Sequence, residues 1–374
     1  MFEVRPTPYG GRGCYATTEI PAGTRLHVST APFTSVIFRE FRKEVCANCF
    51  KYDMGRTTWK VRIERLTHSA GLLFCTDACR DSWITREDRD GAASKALEAV
   101  EVASTLGRKS LQQLLNSGQR REEFEILLPE DGTLTDSFID EQWAAAEQLA
   151  VRLKRKKSGL SQEFKNSLMQ LEDVEYDFVR LILMGVLHHH AEVVSSDGEK
   201  QEVPPEFSWS LFWQLESHEL DLVKKLPALL QAHIKAYLFL RMTLPQYHKS
   251  ITPQIVRGVM GRESANAFGI WQQPLNQESE CLGSALFPSA SYFNHSCRPN
   301  VTKSRHERAM HFVASQTISA GDEVCISYGL ELNPDPVVRQ TLLLDQWYFT
   351  CGCVRCVEDL AENLKASSLE EKNA

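Results

Sequence analysis

Cysteine spacing is the first chemical signal in this sequence. There are eleven cysteines in 374 residues. Several fall at short intervals: Cys46-x2-Cys49, Cys75-x3-Cys79 and Cys351-x-Cys353-x2-Cys356. An odd count in a long chain does not suit a disulfide framework, which belongs to short secreted domains. Intervals of one to three residues instead let thiolates converge on one cation. We therefore read zinc, held in a reducing compartment. His188-His189-His190 is a weaker candidate, because adjacent helical residues point about 100° apart and three in a row cannot meet at one ion. The basic run Arg152-Leu153-Lys154-Arg155-Lys156-Lys157 could be a nuclear signal or a patch for an acidic partner, and equally a solvated helix end.

These groups need elements to hold them. Residues 1–40 read as short strands: Gly10-Gly11-Arg12-Gly13 makes a turn before strand-like Cys14-Tyr15-Ala16. Ile20-Pro21-Ala22-Gly23 supplies Pro and Gly as a type II turn requires. Arg25–Val28 and Phe33–Phe38 are strand candidates. From about 91 to 262 apolar residues recur at three or four positions, as in Leu97, Val100, Ala103, Leu106 and in Ile139, Trp143, Ala146, Leu149, Leu153. One such run is read from Phe164 through Val174 to Leu181, and another from Leu226 to Met242. Thr252-Pro253 is a helix N-cap with Pro at the first position. Residues 188–206 are read as an exposed loop. Strands return after about 263 at Ala285–Phe287, His311–Ala314 and Val324–Ser327, with a turn at Ser319–Asp322. The last residues, from Asp359, are polar and expected to fray.

The segment Asn294-His295-Ser296-Cys297-Arg298-Pro299-Asn300 resembles the signature of SET-domain protein lysine methyltransferases. Gly11-Arg12-Gly13 resembles that family's N-terminal Gly-x-Gly turn. Gly321-Asp322-Glu323-Val324-Cys325-Ile326-Ser327-Tyr328 resembles its last strand, and Cys351-x-Cys353-x2-Cys356 its post-SET zinc triplet. A cysteine module near residue 45 and Asn266–Ile270 before the core are similar to the SET–MYND arrangement. The resemblance covers residues 1–83 and 263–358. It departs in two places: one set of four finger cysteines replaces two interleaved sets, and a helical C-terminal domain does not follow Cys356.

The resemblance implies an α+β fold. A β-rich SET domain with a pseudoknot is split by a small zinc finger and a helical insertion, and a post-SET segment follows. The expected boundaries are 1–43 and 263–330 for the SET parts, 44–83 for the finger, 84–262 for the insertion, 331–360 for the post-SET segment and 361–374 for the tail. The cofactor implied is S-adenosylmethionine, with two structural zinc ions. Cys46, Cys49, Cys75 and Cys79 would hold one zinc. Cys297 with Cys351, Cys353 and Cys356 would hold the other. Cys14, Cys281 and Cys325 remain as small apolar residues. Gly11, Arg12, Gly13 and Asn266 would hold the amino-acid end of the cofactor. Ser291, Asn294 and His295 would hold its amino and adenine groups, and Phe349 would stack on the adenine. Tyr328 would be the catalytic residue, orienting the amine. Trp347 stands where a second tyrosine is usual; its indole keeps the apolar wall but offers N–H in place of O–H.

Composition excludes several classes. With 43% hydrophobic and 24% charged residues, a large core is available. No apolar run suits a membrane span, and Met1–Pro6 does not suit a signal peptide. The net charge of −7 argues against dedicated nucleic-acid binding. The partner expected is a lysine-bearing protein or peptide, with further binding through the finger or insertion, in a monomer of the nucleus or cytoplasm. Two readings stay open beside the lysine methyltransferase. One is a catalytically silent SET scaffold that binds a partner. The other is a methyltransferase for a different acceptor.

Overall fold

A computed structural model of the chain describes residues 1–67, 70–117, 124–130, 132–155, 157–196, 205–276, 278–329 and 334–362. The strands are β1 (Phe2–Pro6), β2 (Arg12–Ala16), β3 (Arg25–Ser29), β4 (Thr34–Ile37), β5 (Ala267–Trp271), β6 (Cys281–Leu286), β7 (Val301–His306) and β8 (Ala309–Ala314). The helices are α1 (Asp77–Glu87), α2 (Ala92–Ser117), α3 (Asp136–Leu153), α4 (Gln162–Met169) and α5 (Asp173–Ser196). They continue with α6 (Trp209–Trp213), α7 (Glu219–Lys225), α8 (Ala228–Thr243), α9 (Pro253–Asn266) and α10 (Pro336–Trp347). No helix among the described residues is long and apolar enough to cross a membrane. The chain forms two compact units, one of residues 1–32, 264–266 and 287–374, the other of residues 33–263 and 267–286.

The first unit is the β-rich one. β1 and β2 form a hairpin whose connection turns at Gly10 and Gly11, both at positive φ (98° and 70°). Only glycine occupies that region without penalty. β3, β8 and β7 make an antiparallel sheet in that order. Phe293 stacks on Phe312 beneath it at 4.5 Å. The turns at Ala22-Gly23 and Ala320-Gly321 both place glycine at positive φ, and Thr24 and Asp322 N–H groups close them on Pro21 and Ser319 carbonyls.

Residues 322–327 join no ladder, although their sequence reads as a strand. Their backbone groups are shared between two neighbours instead. Ala16 N–H donates to Asp322 and Val324 N–H to Cys14, while Ile326 bonds Asn294 and Ser296. This threading between the N-terminal hairpin and the 294–297 segment is the pseudoknot arrangement. α10 opens with Asp335 accepting from Val337 and Val338 N–H, with Pro336 at its first position.

In the second unit β6 pairs with β4 and β5. α5 lies on β4, where the Thr34 hydroxyl donates to the Leu181 carbonyl at 2.7 Å. α8 is buried on nearly all sides, from Leu230 to Arg241, and its buried Lys235 is paired with Glu175 of α5 at 2.7 Å. Thr252 caps α9 by accepting from Ile255 N–H. Arg42 donates to Tyr176 Oη (2.6 Å) and Glu101 (3.1 Å), and Arg180 donates to Ala70 O (2.8 Å), so the cysteine finger is pinned to α2 and α5.

Two readings of the helical block are corrected. The run Phe164–Leu181 is broken at residues 170–172, where the Glu175 carboxylate accepts from Glu172 N–H and starts a new helix. The phase therefore resets, and Val174 is exposed. Residues 188–196 are helical rather than loop, residues 197–204 lie outside the described ones, and Pro205–Phe207 is a short 3-10 turn. Each histidine of the triplet has its own packing partner: His188 bonds Phe33 O (2.6 Å), His190 bonds Ser250 Oγ (2.9 Å), and His189 lies edge-on to Trp209. Residues 363–374 of the expected tail lie outside the described residues.

Candidate active site and metal centres

Two groups of four cysteines could each hold a metal ion. Cys46, Cys49, Cys75 and Cys79 form one and Cys297, Cys351, Cys353 and Cys356 the other, with all sulfurs of a group within 4.8 Å of one another. A tetrahedral zinc with Zn–S of about 2.3 Å places its sulfurs about 3.8 Å apart. Cys49–Cys75 at 3.7 Å, Cys75–Cys79 at 3.5 Å and Cys297–Cys356 at 3.4 Å lie close to that. Local structure presents the ligands. Thr76 caps α1 by accepting from Cys79 N–H, which fixes Cys79 on the first turn. In the second group Gln340 clamps Cys351 from both sides, donating to its carbonyl (2.6 Å) and accepting from its N–H (2.7 Å). Burial pushes the Cys297 thiol up to about 12. Four sulfurs this close are held as thiolates only where a cation offsets their charge. Of the three cysteines outside the groups, Cys14 and Cys325 are buried and Cys281 half-buried.

The glycine turn meets the Asn294 segment directly. Asn294 Nδ2 donates to Arg12 O (3.1 Å) and to Glu323 Oε1 (2.8 Å). Gly13 lies so close beneath that its absent Cβ would sit 2.6 Å from Asn294 Nδ2. The Arg12 guanidinium carbon lies 5.0 Å from the Tyr292 ring centre. Ser291 Oγ donates to Phe287 O (3.1 Å) and Asn266 O (3.4 Å), which places Asn266 beside the same segment. Residues 291–295 are thus the common wall joining Gly11–Gly13 and Asn266.

Four aromatic rings gather at the other end of this wall. Tyr328 lies 5.3 Å from His295, 5.3 Å from Trp347 and 6.2 Å from Phe349 between ring centres. Its hydroxyl donates to Phe293 O at 3.4 Å. Burial raises the hydroxyl above the ordinary tyrosine range, so it remains a neutral donor at physiological pH. His295 Nδ1 accepts from Tyr328 N–H (3.1 Å), which leaves the proton on Nε2, 3.3 Å from Cys297 Sγ. Burial lowers the His295 pKa to about 4, in keeping with that neutral ring. Trp347 and Phe349 also pack on the second cysteine group.

Three residues at this site have no role assigned from the sequence. Glu323 accepts from both Asn294 and Tyr9, and Tyr9 is otherwise largely exposed. Asn300 accepts from Cys325 N–H and donates to Glu323 O, both at 2.8 Å, and so pins the threaded segment. The second Asn of the Asn-His-Ser-Cys-x-Pro-Asn segment was visible as a signal. Glu323 stood within the Gly321–Tyr328 motif without a role of its own, and Tyr9 carried no signal, since only the fold brings residues 314 positions apart together.

The SET domain family matches residues 11–329. The potential protein lysine methyltransferase SET6 of Saccharomyces cerevisiae is 30% identical over 381 residues, covering 96% of both chains. A SET and MYND domain-containing protein of Dictyostelium discoideum is 40% identical over 28% of this chain and 25% of its own. The N-lysine methyltransferase SMYD2-A of Xenopus laevis is 29% identical over 44% of this chain and 37% of its own. With the family's match running from the glycine turn to the residue after Tyr328, and with end-to-end similarity to the yeast protein, this chain belongs to the SET-domain family.

Proposed function

We propose that this protein is an S-adenosylmethionine-dependent protein-lysine N-methyltransferase carrying one structural zinc in each cysteine group. The observation that carries the reading is the neutral Tyr328 hydroxyl, set among His295, Trp347 and Phe349 on the segment that also touches the glycine turn. The residues fit the cofactor. The Gly10 N–H is held by Thr7 O at 3.4 Å, but no atom lies within 4 Å of where a Cβ would stand on Gly11, so a carboxylate can approach the backbone closely there. Tyr292 Oη is buried without a hydrogen-bond partner among the described residues, beneath Arg12. Phe349 keeps a half-exposed face for a planar base. The cysteine groups fit zinc in number, ligand chemistry and spacing.

When bound, the cofactor supplies a methyl group on a sulfonium sulfur. The protein's part is to present a neutral amine. Free lysine has a pKa of about 10.4, and an apolar surrounding favours its uncharged form. Trp347 and Phe349 provide that surrounding, and the Tyr328 oxygen can accept from the amine and fix its direction. His295, holding the Tyr328 backbone, keeps the hydroxyl in place. Alignment of this kind supplies several kcal/mol in such reactions. The domain assignment, the lysine-bearing protein substrate, the further partner contacts through finger or insertion and the nuclear or cytoplasmic residence belong to the same proposal. The relatives' names support lysine as acceptor. The test is incubation with labelled cofactor and a broad protein panel, beside calorimetry with the cofactor product. Silence on every substrate with no cofactor binding defeats the proposal. Trp347 favours the scaffold reading, and Tyr328-dependent transfer would remove that alternative.

A further inference from the structure

Arg339 on α10 has a side chain with no solvent exposure, an uncommon place for a guanidinium. Its Nη1 donates to Pro334 O at 2.9 Å, and its Nη2 points at Cys356 Sγ at 3.9 Å and pairs with Asp359. The same guanidinium faces Cys297. On the other side of Asp359, Arg355 approaches at 3.6 Å and donates to Cys297 O at 3.2 Å. A divalent ion on four thiolates leaves a site of charge −2. Arg339, Arg355 and Asp359 together bring a net +1 against it. Backbone N–H groups serve both cysteine groups, those of Asn48, Cys49 and Cys75 at Cys46 and those of Cys297 and Cys356 at Cys353; the second group has the Arg339 guanidinium on its sulfurs in addition.

We propose that Arg339 is a charge-balancing outer partner of the Cys297–Cys351–Cys353–Cys356 metal centre, and that it makes this centre the more inert of the two towards chelators and thiol reagents. The inference rests on the zinc assignment above. A guanidinium against thiolate sulfur draws off electron density and lowers nucleophilicity, whereas backbone amides do so more weakly. Asp359 fixes the guanidinium so that it serves the sulfurs. The buried Arg339 is therefore a positioning residue for the metal centre and touches no reacting atom.

The experiment uses the full-length zinc-loaded protein. Zinc is counted by mass spectrometry, and its release to a chromogenic chelator is timed, in wild type, Cys297→Ser, Arg339→Gln and Arg339→Lys. Two zinc ions in wild type and one in Cys297→Ser establish the metal at this centre; any other count overturns the zinc assignment and the proposal with it. Wild type is expected to release zinc in a fast and a slow phase, with the slow phase absent from Cys297→Ser. Arg339→Gln should speed the slow phase by about tenfold or more and leave the fast phase unchanged. Arg339→Lys should restore most of the difference by keeping the charge. In cobalt-loaded protein the thiolate-to-metal charge-transfer band should shift to lower energy in Arg339→Gln, a change that loosened packing alone does not produce. An unchanged slow phase and band in Arg339→Gln with two zinc ions retained overturns the proposal and leaves the zinc assignment standing. If Arg339→Gln does not fold, Asp359→Asn, which removes the carboxylate that fixes the guanidinium, carries the comparison: faster slow-phase release supports the proposal, and release identical to wild type overturns it.

Discussion

Gly13 offers a sharp test of how the glycine turn and the Asn294 segment are joined. Its backbone is not in the left-handed region, so alanine has no conformational objection there. The objection is steric: a Cβ would stand 2.5 Å from Glu323 Oε1, 2.6 Å from Asn294 Nδ2 and 3.2 Å from Thr7 Cγ2. The first two atoms are bonded to each other at 2.8 Å, and the methyl would wedge between them. Overpacking of this kind costs about 1–3 kcal/mol. Loss of a hydrogen bond to a carboxylate adds about 1.5–3 kcal/mol. The combined expectation for Gly13→Ala is about 3–5 kcal/mol, or a Tm lower by about 5 °C. Gly11→Ala makes the contrast. Gly11 has φ of 70° and open space around it, so alanine meets only left-handed strain of about 1–2 kcal/mol. The assay is thermal unfolding of the zinc-loaded protein beside calorimetry with the cofactor product. In a Glu323→Ala background the Gly13→Ala cost should shrink, because the bond it breaks is already gone. Equal losses for the two alanine variants, or additivity with Glu323→Ala, would refute the reasoning.

Asp177 gives a pH prediction. Burial raises its carboxyl to about 7. The native state therefore holds that proton more tightly than the unfolded chain, and stability is lost as pH rises from about 4 through 7, reaching up to about 4 kcal/mol. Asp177→Asn should raise Tm relative to wild type at about pH 8 and lose that advantage near pH 5; a gap constant with pH would contradict it. Tyr328→Phe should lower methyl transfer by about 100-fold or more with the cofactor-product affinity intact, as read by labelled-methyl incorporation and calorimetry. Cys297→Ser should weaken cofactor binding along with metal content, because metal affinity is folding energy for its segment; full affinity in that variant would separate the two.

The parts of the site that were legible in sequence are those fixed by local geometry. Cysteine intervals encode ligand convergence, Thr252-Pro253 encodes a helix start, and Gly10 and Gly11 encode a turn that other residues resist. The missed parts depend on phase or on long-range pairing. A run of apolar residues from Phe164 to Leu181 looks continuous, yet a side-chain cap at Glu175 restarts the helix and turns Val174 outward. Val324–Ser327 has strand composition, but its backbone bonds are divided between two segments and make no ladder. Glu323 and Tyr9 are ordinary polar residues until the threading brings them to Asn294.

That threading decides how the site is held. The two-stranded β1–β2 hairpin is marginal by itself, and the segment bearing Tyr328 belongs to no sheet. Its order comes from accounting for its backbone groups one by one. Val324 and Cys325 are met by Cys14 and Asn300, and Ile326 by Asn294 and Ser296. Tyr328 N–H is met by the His295 ring. The other nitrogen of that ring reaches the Cys297 sulfur, so one neutral imidazole spans the second cysteine group and the segment bearing Tyr328. Each bond in that chain needs the next: the sulfur fixes the tautomer, the tautomer leaves Nδ1 as acceptor, and the acceptor fixes the Tyr328 backbone. A ring unable to accept at Nδ1 would leave a buried N–H unpaired, at a cost of about 1–3 kcal/mol, and free the hydroxyl to wander. The aromatic site and the cysteine centre are therefore one mechanical object, and the aim of the Tyr328 hydroxyl is set from the sulfur side.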